Sequence, residues 1–229
     1  MSMRPILNKC LLRPEIDRVP PLMRGIDAYE LTGVPRTPAY ARVWKMGPGV
    51  LYETRPMMNE GQVVFVDLSH VGLECHIEGK RTWSMAMDLI RAIIDEPRAQ
   101  PIPLNDFVLT EQAPDELIRN VAPGLASAAN LHLPKGQLKK GFASGTREVE
   151  LNHQVFTYKF ERIVDMAAGV YVKKTFRPHD RRAIGGIGLF RGVRSMPIAW
   201  IDGEGVQHEG SLTPWSDFHG VDIEEGAAA

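Results

Sequence analysis

Apolar and polar positions alternate along much of this 229-residue chain, and that alternation sets the first expectation of its architecture. Residues 63–68, Val-Val-Phe-Val-Asp-Leu, form a compact β-branched and aromatic run. Residues 73–78 then place Leu73, Cys75 and Ile77 on one face and Glu74, His76 and Glu78 on the other, the signature of a half-buried strand. Residues 41–46 and 50–54 read as two strands around the turn Gly47-Pro48-Gly49. In the second half, Phe156, Tyr158 and Phe160 alternate with Val155, Thr157 and Lys159. Residues 170–176 alternate likewise, and residues 198–201 meet a hairpin signal at Asp202-Gly203.

One segment breaks the period of two. Trp83, Met87, Ile90 and Ile94 fall on a 3.6-residue stripe widened by Met85, Leu89 and Ile93, which predicts a long buried helix over 82–96, ended by Pro97. A shorter helix is expected from Pro114 to Asn120, with Asp115 and Glu116 in its first turn. The fold class is therefore α+β and β-rich: antiparallel sheets with one long buried helix. The expected organisation is an α+β domain over 1–124, a linker or loop over 125–136, a basic β-rich domain over 137–210 and an acidic, partly loose tail over 211–229.

Charge changes this picture more than composition does. The net charge is −1, but residues 130–195 hold 13 Lys and Arg against five acids, and residues 196–229 hold seven acids and no Lys or Arg. A segment at +8 can concentrate polyanions by releasing their condensed counterions. The alternatives are self-neutralisation by the acidic tail or a protein partner. No apolar run approaches the roughly 18 residues of a membrane span, and the first residues lack a signal-peptide core, so cytoplasm is the expected location. Cys10 and Cys75 have no spacing for a disulfide framework or a thiolate zinc site, and both are expected to be buried thiols.

Two motifs fail on spacing. Gly79-Lys80-Arg81-Thr82 follows a strand as a phosphate loop would, but Gly72 lies too far upstream and Arg81 takes the hydroxyl position. Gly186-Ile187-Gly188-Leu189-Phe190-Arg191-Gly192 imitates a dinucleotide fingerprint with its last gap one residue too long. Seven histidines form no metal-ligand spacing, and Asp67, His70 and His76 would converge only around a tight turn. No metal or cofactor is expected.

The same glycines suit another task. Gly185, Gly186, Gly188 and Gly192 bare the backbone beside Arg177, Arg181, Arg182, Arg191 and Arg194, so a phosphate chain could approach main-chain amides while guanidiniums grip it. The competing reading is a twisted strand that needs glycine for close packing. Lys139, Lys140 and Phe142 form a basic loop with one aromatic free to stack on a base. His179, among arginines, is the candidate base for metal-free phosphodiester cleavage, with His153 second; a positioning role fits His179 equally.

Through Lys139–Phe142 and Gly185–Gly192, residues 135–200 resemble the RAMP superfamily of CRISPR-associated proteins. The resemblance implies ferredoxin-like (RRM-like) modules, a glycine-rich loop that holds CRISPR RNA, and a place in antiviral defence. That family has cleaving and purely structural members, so no catalytic residue carries over. The leading expectation is an RNA-binding subunit of a ribonucleoprotein complex, an enzyme only if it is a metal-independent RNA endonuclease. The alternative is a structural assembly subunit, such as a virion tail or connector protein. A small-molecule enzyme on a β-barrel has no constellation to support it.

Overall fold

The computed structural model describes residues 3–15, 38–49, 55–94, 100–113, 138–139, 146–151, 154–172, 175–190 and 194–221. Three antiparallel sheets account for the described chain. The first has seven strands: β1 (Lys9–Pro14), β2 (Pro38–Met46), β3 (Val63–Asp67), β4 (Leu73–Ile77), β5 (Lys80–Ala86), β6 (Ala92–Ile94) and β7 (Ile102–Pro103). They lie in the order β4-β5-β1-β2-β3-β6-β7.

The second sheet is built from β8 (Phe107–Gln112), β9 (Leu138–Lys139), β10 (Thr146–Leu151), β11 (Gln154–Met166), β14 (Ile187–Phe190), β15 (Met196–Ile201), β16 (Gln207–Pro214) and β17 (Phe218–Val221). Its main path is β15-β16-β8-β11-β10-β9, with β14 joining β11 to β17. β12 (Gly169–Val172) and β13 (Thr175–Pro178) form a separate two-stranded hairpin.

Alternation along the strands explains the layers. Cys10 and Leu12, Ala41 and Val43, Val64 and Val66, Trp83 and Met85 turn one face of the first sheet into a single core with Met87 and Ile90. The opposite face presents Tyr40, Val63, Phe65 and Ala92 to Leu109, Met196, Ile198, Trp200 and Leu212 of the second sheet. The two sheets thus share a core, and the chain crosses from one to the other at residues 104–106. β8, which the sequence groups with the first half, belongs to the second sheet.

A buried ion pair on the first sheet also reaches across to the second. Arg91 Nη2 lies 3.2 Å from Asp67 Oδ2, with both side chains no more than 2% exposed. Arg91 Nη1 donates to the carbonyls of Arg194 (3.0 Å) and Leu212 (3.4 Å), and its guanidinium carbon lies 4.8 Å from the Phe107 ring centre.

The long buried helix is the main correction. Residues 82–86 belong to β5, Met87–Leu89 make one 3-10 turn, and Ala92–Ile94 form β6. Trp83, Met85 and Met87 are spaced by two and all enter the same core, so pairing of β5 with both β1 and β4 prevails over the 3.6-residue stripe. Among the described residues the only helical pieces are four 3-10 turns, so the ferredoxin-like (RRM-like) modules, which need helices packed on a sheet, are not the architecture. The expected short helix over 114–120 and strand over 50–54 lie outside the described residues. No described helix is long and apolar enough to cross a membrane.

Smaller differences have local causes. β4 is an edge strand whose expected face is half-buried at Cys75 and Ile77 but exposed at Leu73, 59% accessible. It turns into β5 through Glu78 and Gly79, both at positive φ (54° and 71°), between the paired Ile77 and Lys80. That is the two-residue turn that matches strand twist, and it gives Gly79 its role. The hairpin signalled by Asp202-Gly203 joins β15 to β16, with Asp202 Oδ1 accepting the amides of Glu204 and Val206. Residues 211–221 complete β16, a 3-10 turn and β17. Cys10 is buried, which pushes its thiol up to about 12, whereas Cys75 is half-buried.

Candidate functional site

The hairpin β12–β13 stands apart from both large sheets. A Cβ at Gly169 would lie 2.3 Å from the Arg177 carbonyl oxygen, so only glycine lets the strands meet there. Across the pair, Tyr171 faces Phe176 with ring centres 5.2 Å apart, and both rings remain more than 40% exposed. Every residue of β13 is exposed, Arg177 included.

Below the hairpin, a cleft of about 1400 Å³ opens between the two sheets. Met57, Ile102 and Leu104 line it from the first sheet's side, Val164, Met166 and Ile184 from the second. Tyr171 and Phe176 stand at its border, as do Arg55, Arg181, Asp88, Asp106 and Asp165. Among the described residues, the charges that line the cleft are mixed, two arginines against three aspartates.

The candidate base sits inside the protein. His179 is buried; its Nδ1 lies 3.0 Å from the Ala167 carbonyl and its backbone amide donates to Ala168 O. Nε2 is 3.4 Å from Asp106 Oδ1, and the ring lies 5.8 Å from Trp215. Asp106 Oδ2 accepts from the Ser216 hydroxyl at 2.7 Å. Burial opposes ionisation of Asp106, but the contacts from His179 and from the Ser216 hydroxyl and amide outweigh it and hold its carboxyl below the usual range. Both ring nitrogens of His179 face protein oxygens, which is the geometry of a positioning group rather than a free base.

The other expected site residues separate. Arg181 donates to the Met166 carbonyl and reaches Asp165 at 3.4 Å. Arg182 is held by Asp180 at 2.6 Å. Arg194 Nε donates to Asp217 Oδ1 at 2.8 Å, so a carboxylate of the acidic C-terminal segment covers that cation. Arg162, which the sequence did not single out, donates to Glu111 at 2.8 Å.

The Gly185 and Gly186 amides donate to the Ile163 and Ala183 carbonyls. A Cβ at Gly188 would lie 2.3 Å from the Phe218 ring. Gly188 is thus needed for close packing, whereas Gly185 has nothing within 4 Å of a Cβ and is favoured instead by its positive φ of 89°. Lys139 lies in β9 opposite Glu148; Lys140, Phe142, His153, Arg191 and Gly192 fall outside the described residues. No three His, Cys, Asp or Glu side chains among the described residues converge as metal ligands.

No protein-family model and no curated protein matches the chain.

Sequence reasoning missed Asp106, Ser216 and Trp215, whose only signals were the turn-forming pair Asn105-Asp106 and a Trp beside a proline. It also missed Glu161. That carboxyl sits in β11, accepts from the Thr110 hydroxyl and lies 4.0 Å from Lys159 Nζ. Burial pushes it up, with Lys159 and Thr110 only partly offsetting this. The folded chain therefore keeps this proton to higher pH than the unfolded chain does. Stability falls as pH rises from the ordinary carboxyl range to the folded-state value, and then levels off. Glu161→Gln should raise stability at neutral pH and change little near pH 4, as urea unfolding at the two pH values will show.

Proposed function

We propose that the chain is a structural subunit of a larger assembly, meeting a neighbouring copy through hairpin β12–β13 and the apolar cleft beneath it. The observation that carries this reading is the hairpin itself. An isolated two-stranded hairpin is marginally stable in water, yet this one displays two aromatic rings to solvent. A contact that covers the rings would stabilise the hairpin and bury the apolar rim together. The ion pairs of Arg162, Arg181, Arg182 and Arg194 point the same way, because most described cations of the basic segment already have carboxylates of their own.

Analytical ultracentrifugation tests this. The wild-type chain should self-associate with rising concentration, and Tyr171→Ser with Phe176→Ser should return it to monomer with its β-sheet circular dichroism unchanged. A monomer at every concentration, or association that the double variant leaves intact, would overturn it.

Nucleic-acid binding is the second reading, favoured by one observation: Phe176 and Arg177, successive residues of β13, are both exposed, and Arg55 and Arg181 line the cleft. Base stacking on such rings is worth about 1–3 kcal/mol per base. Filter binding of single-stranded RNA across a salt series decides it. Affinity that drops steeply with salt and weakens for Arg177→Ala with Arg181→Ala supports RNA; no retention at low salt ends it.

A further inference from the structure

The far end of the second sheet offers a counterpart to hairpin β12–β13. Residues 169–178, which span that hairpin, hold Lys173, Lys174 and Arg177 and no acid. Residues 199–210, which carry the turn between β15 and β16, hold Asp202, Glu204 and Glu209 and no Lys or Arg. Each also shows two large apolar side chains to solvent. These are Tyr171 and Phe176 on the hairpin, and Ile201 and Val206 on the β15–β16 tip, the latter two more than half exposed. Arg177, Glu204 and Glu209 are exposed, and none of them has an oppositely charged partner among the described residues.

Strand register sets these two surfaces too far apart to meet within one copy. Phe107 lies across from Pro214 of β16, and Val108 across from Met166 of β11, the strand end that leads into β12. Glu111 lies across from Gly210, and β16 continues beyond it to Gln207 and the tip. The eight residues of β16 thus separate the hairpin end from the tip by roughly 24 Å of strand.

The tip is also preformed. Asp202 Oδ1 accepts the Glu204 and Val206 amides, and its Oδ2 lies 2.8 Å from His208 Nε2. The His208 ring stacks on Trp200 with centres 5.3 Å apart. Trp200 enters the core shared by the two sheets, so Ile201 and Glu209 fall together on the opposite face. A surface held in this way loses little freedom when it is covered.

We propose, on the assembly reading above, that the β15–β16 tip of one copy docks on hairpin β12–β13 of the next. Ile201 and Val206 cover the Tyr171 and Phe176 rings, and Glu204 and Glu209 face the cations of the hairpin. Two hairpins meeting each other would set three cations against three, which like-charge repulsion disfavours. A contact between unlike faces leaves one tip and one hairpin free on every pair. Copies therefore add head to tail into a ring or a filament rather than stopping at a dimer.

Sedimentation of two variants, alone and mixed, tests this. The wild-type chain should form species larger than dimers that dissociate as salt rises. Tyr171→Ser with Phe176→Ser keeps the tip, and Ile201→Ser with Val206→Ser keeps the hairpin. Each alone should associate at least tenfold more weakly than wild type. Their one-to-one mixture should sediment as a dimer and nothing larger, because only one contact can form. Should the tip variant not fold by circular dichroism, Glu204→Lys with Glu209→Lys takes its place and should be equally monomeric, cation then facing cation. A tip variant that associates as wild type does, or a mixture that stays monomeric, would overturn the pairing and leave the hairpin's part in assembly standing. A wild-type chain that is monomeric at every concentration removes both.

Discussion

Replacing Arg91 with alanine should cost about 3–5 kcal/mol of folding stability, the largest loss expected of any single side chain here. The reason is what the substitution leaves behind. Asp67, 1% exposed, would keep its bonds from the Ser69 amide and hydroxyl but lose the Arg91 guanidinium that pairs with it. The Arg194 and Leu212 carbonyls would lose a donor in the same step. Arg91 precedes β6 in the first sheet, while Arg194 and Leu212 belong to the second, so the loss falls on the junction of the two. Urea denaturation provides the measurement. Arg91→Met combined with Asp67→Asn should recover at least half of the lost stability, because neither partner is then left as a lone buried charge. A cost below about 1 kcal/mol for Arg91→Ala would show that the pair does not hold the sheets together.

Gly210→Ala should be nearly as damaging for a purely steric reason. Gly210 lies in β16, opposite Glu111 of β8 on one side and Ile198 of β15 on the other. A Cβ there would sit 2.0 Å from the Thr110 carbonyl oxygen and 3.1 Å from the Trp200 ring. The first obstacle is backbone, so relief requires β16 and β8 to move apart at the centre of the sheet. A loss of about 2–3 kcal/mol is expected by thermal or urea unfolding. Gly203→Ala is the matched control, since its Cβ would meet nothing within 4 Å, and it should fall within about 0.5 kcal/mol of wild type. Equal effects at the two positions would mean that chain entropy rather than the clash decides.

The sheets were legible where β-branched and aromatic runs, or a period of two, mark the strand. Residues 63–67 and 41–46 carry β-branched and aromatic side chains that suit either face of a buried strand, and the sequence finds both. The segment 82–96 misled because its apolar residues satisfy two periods at once, and only the presence of β1 and β4 on either side of β5 selects between them. The basic segment was legible as a charge excess, but not as a surface. Which carboxylate meets Arg194 or Arg162 depends on strand neighbours far apart in sequence, and no local pattern encodes them. His179 was found for its neighbours Arg181 and Arg182, whereas the residue that sets its chemistry, Asp106, arrives from a distant loop.

The place of β8 in the second sheet carries a consequence for biosynthesis. Its two flanking strands are β11 and β16, and Leu109 pairs with Leu212, roughly a hundred residues later, a separation that slows folding. During translation, β8 emerges roughly a hundred residues before β16, and one of its edges stays open until β16 has left the ribosome. Val108, Leu109 and Thr110 are fully buried in the finished molecule, so in that interval they form an uncovered template for aggregation. Yield in a cell should therefore respond to chaperone supply more than the equilibrium stability of the purified protein would suggest.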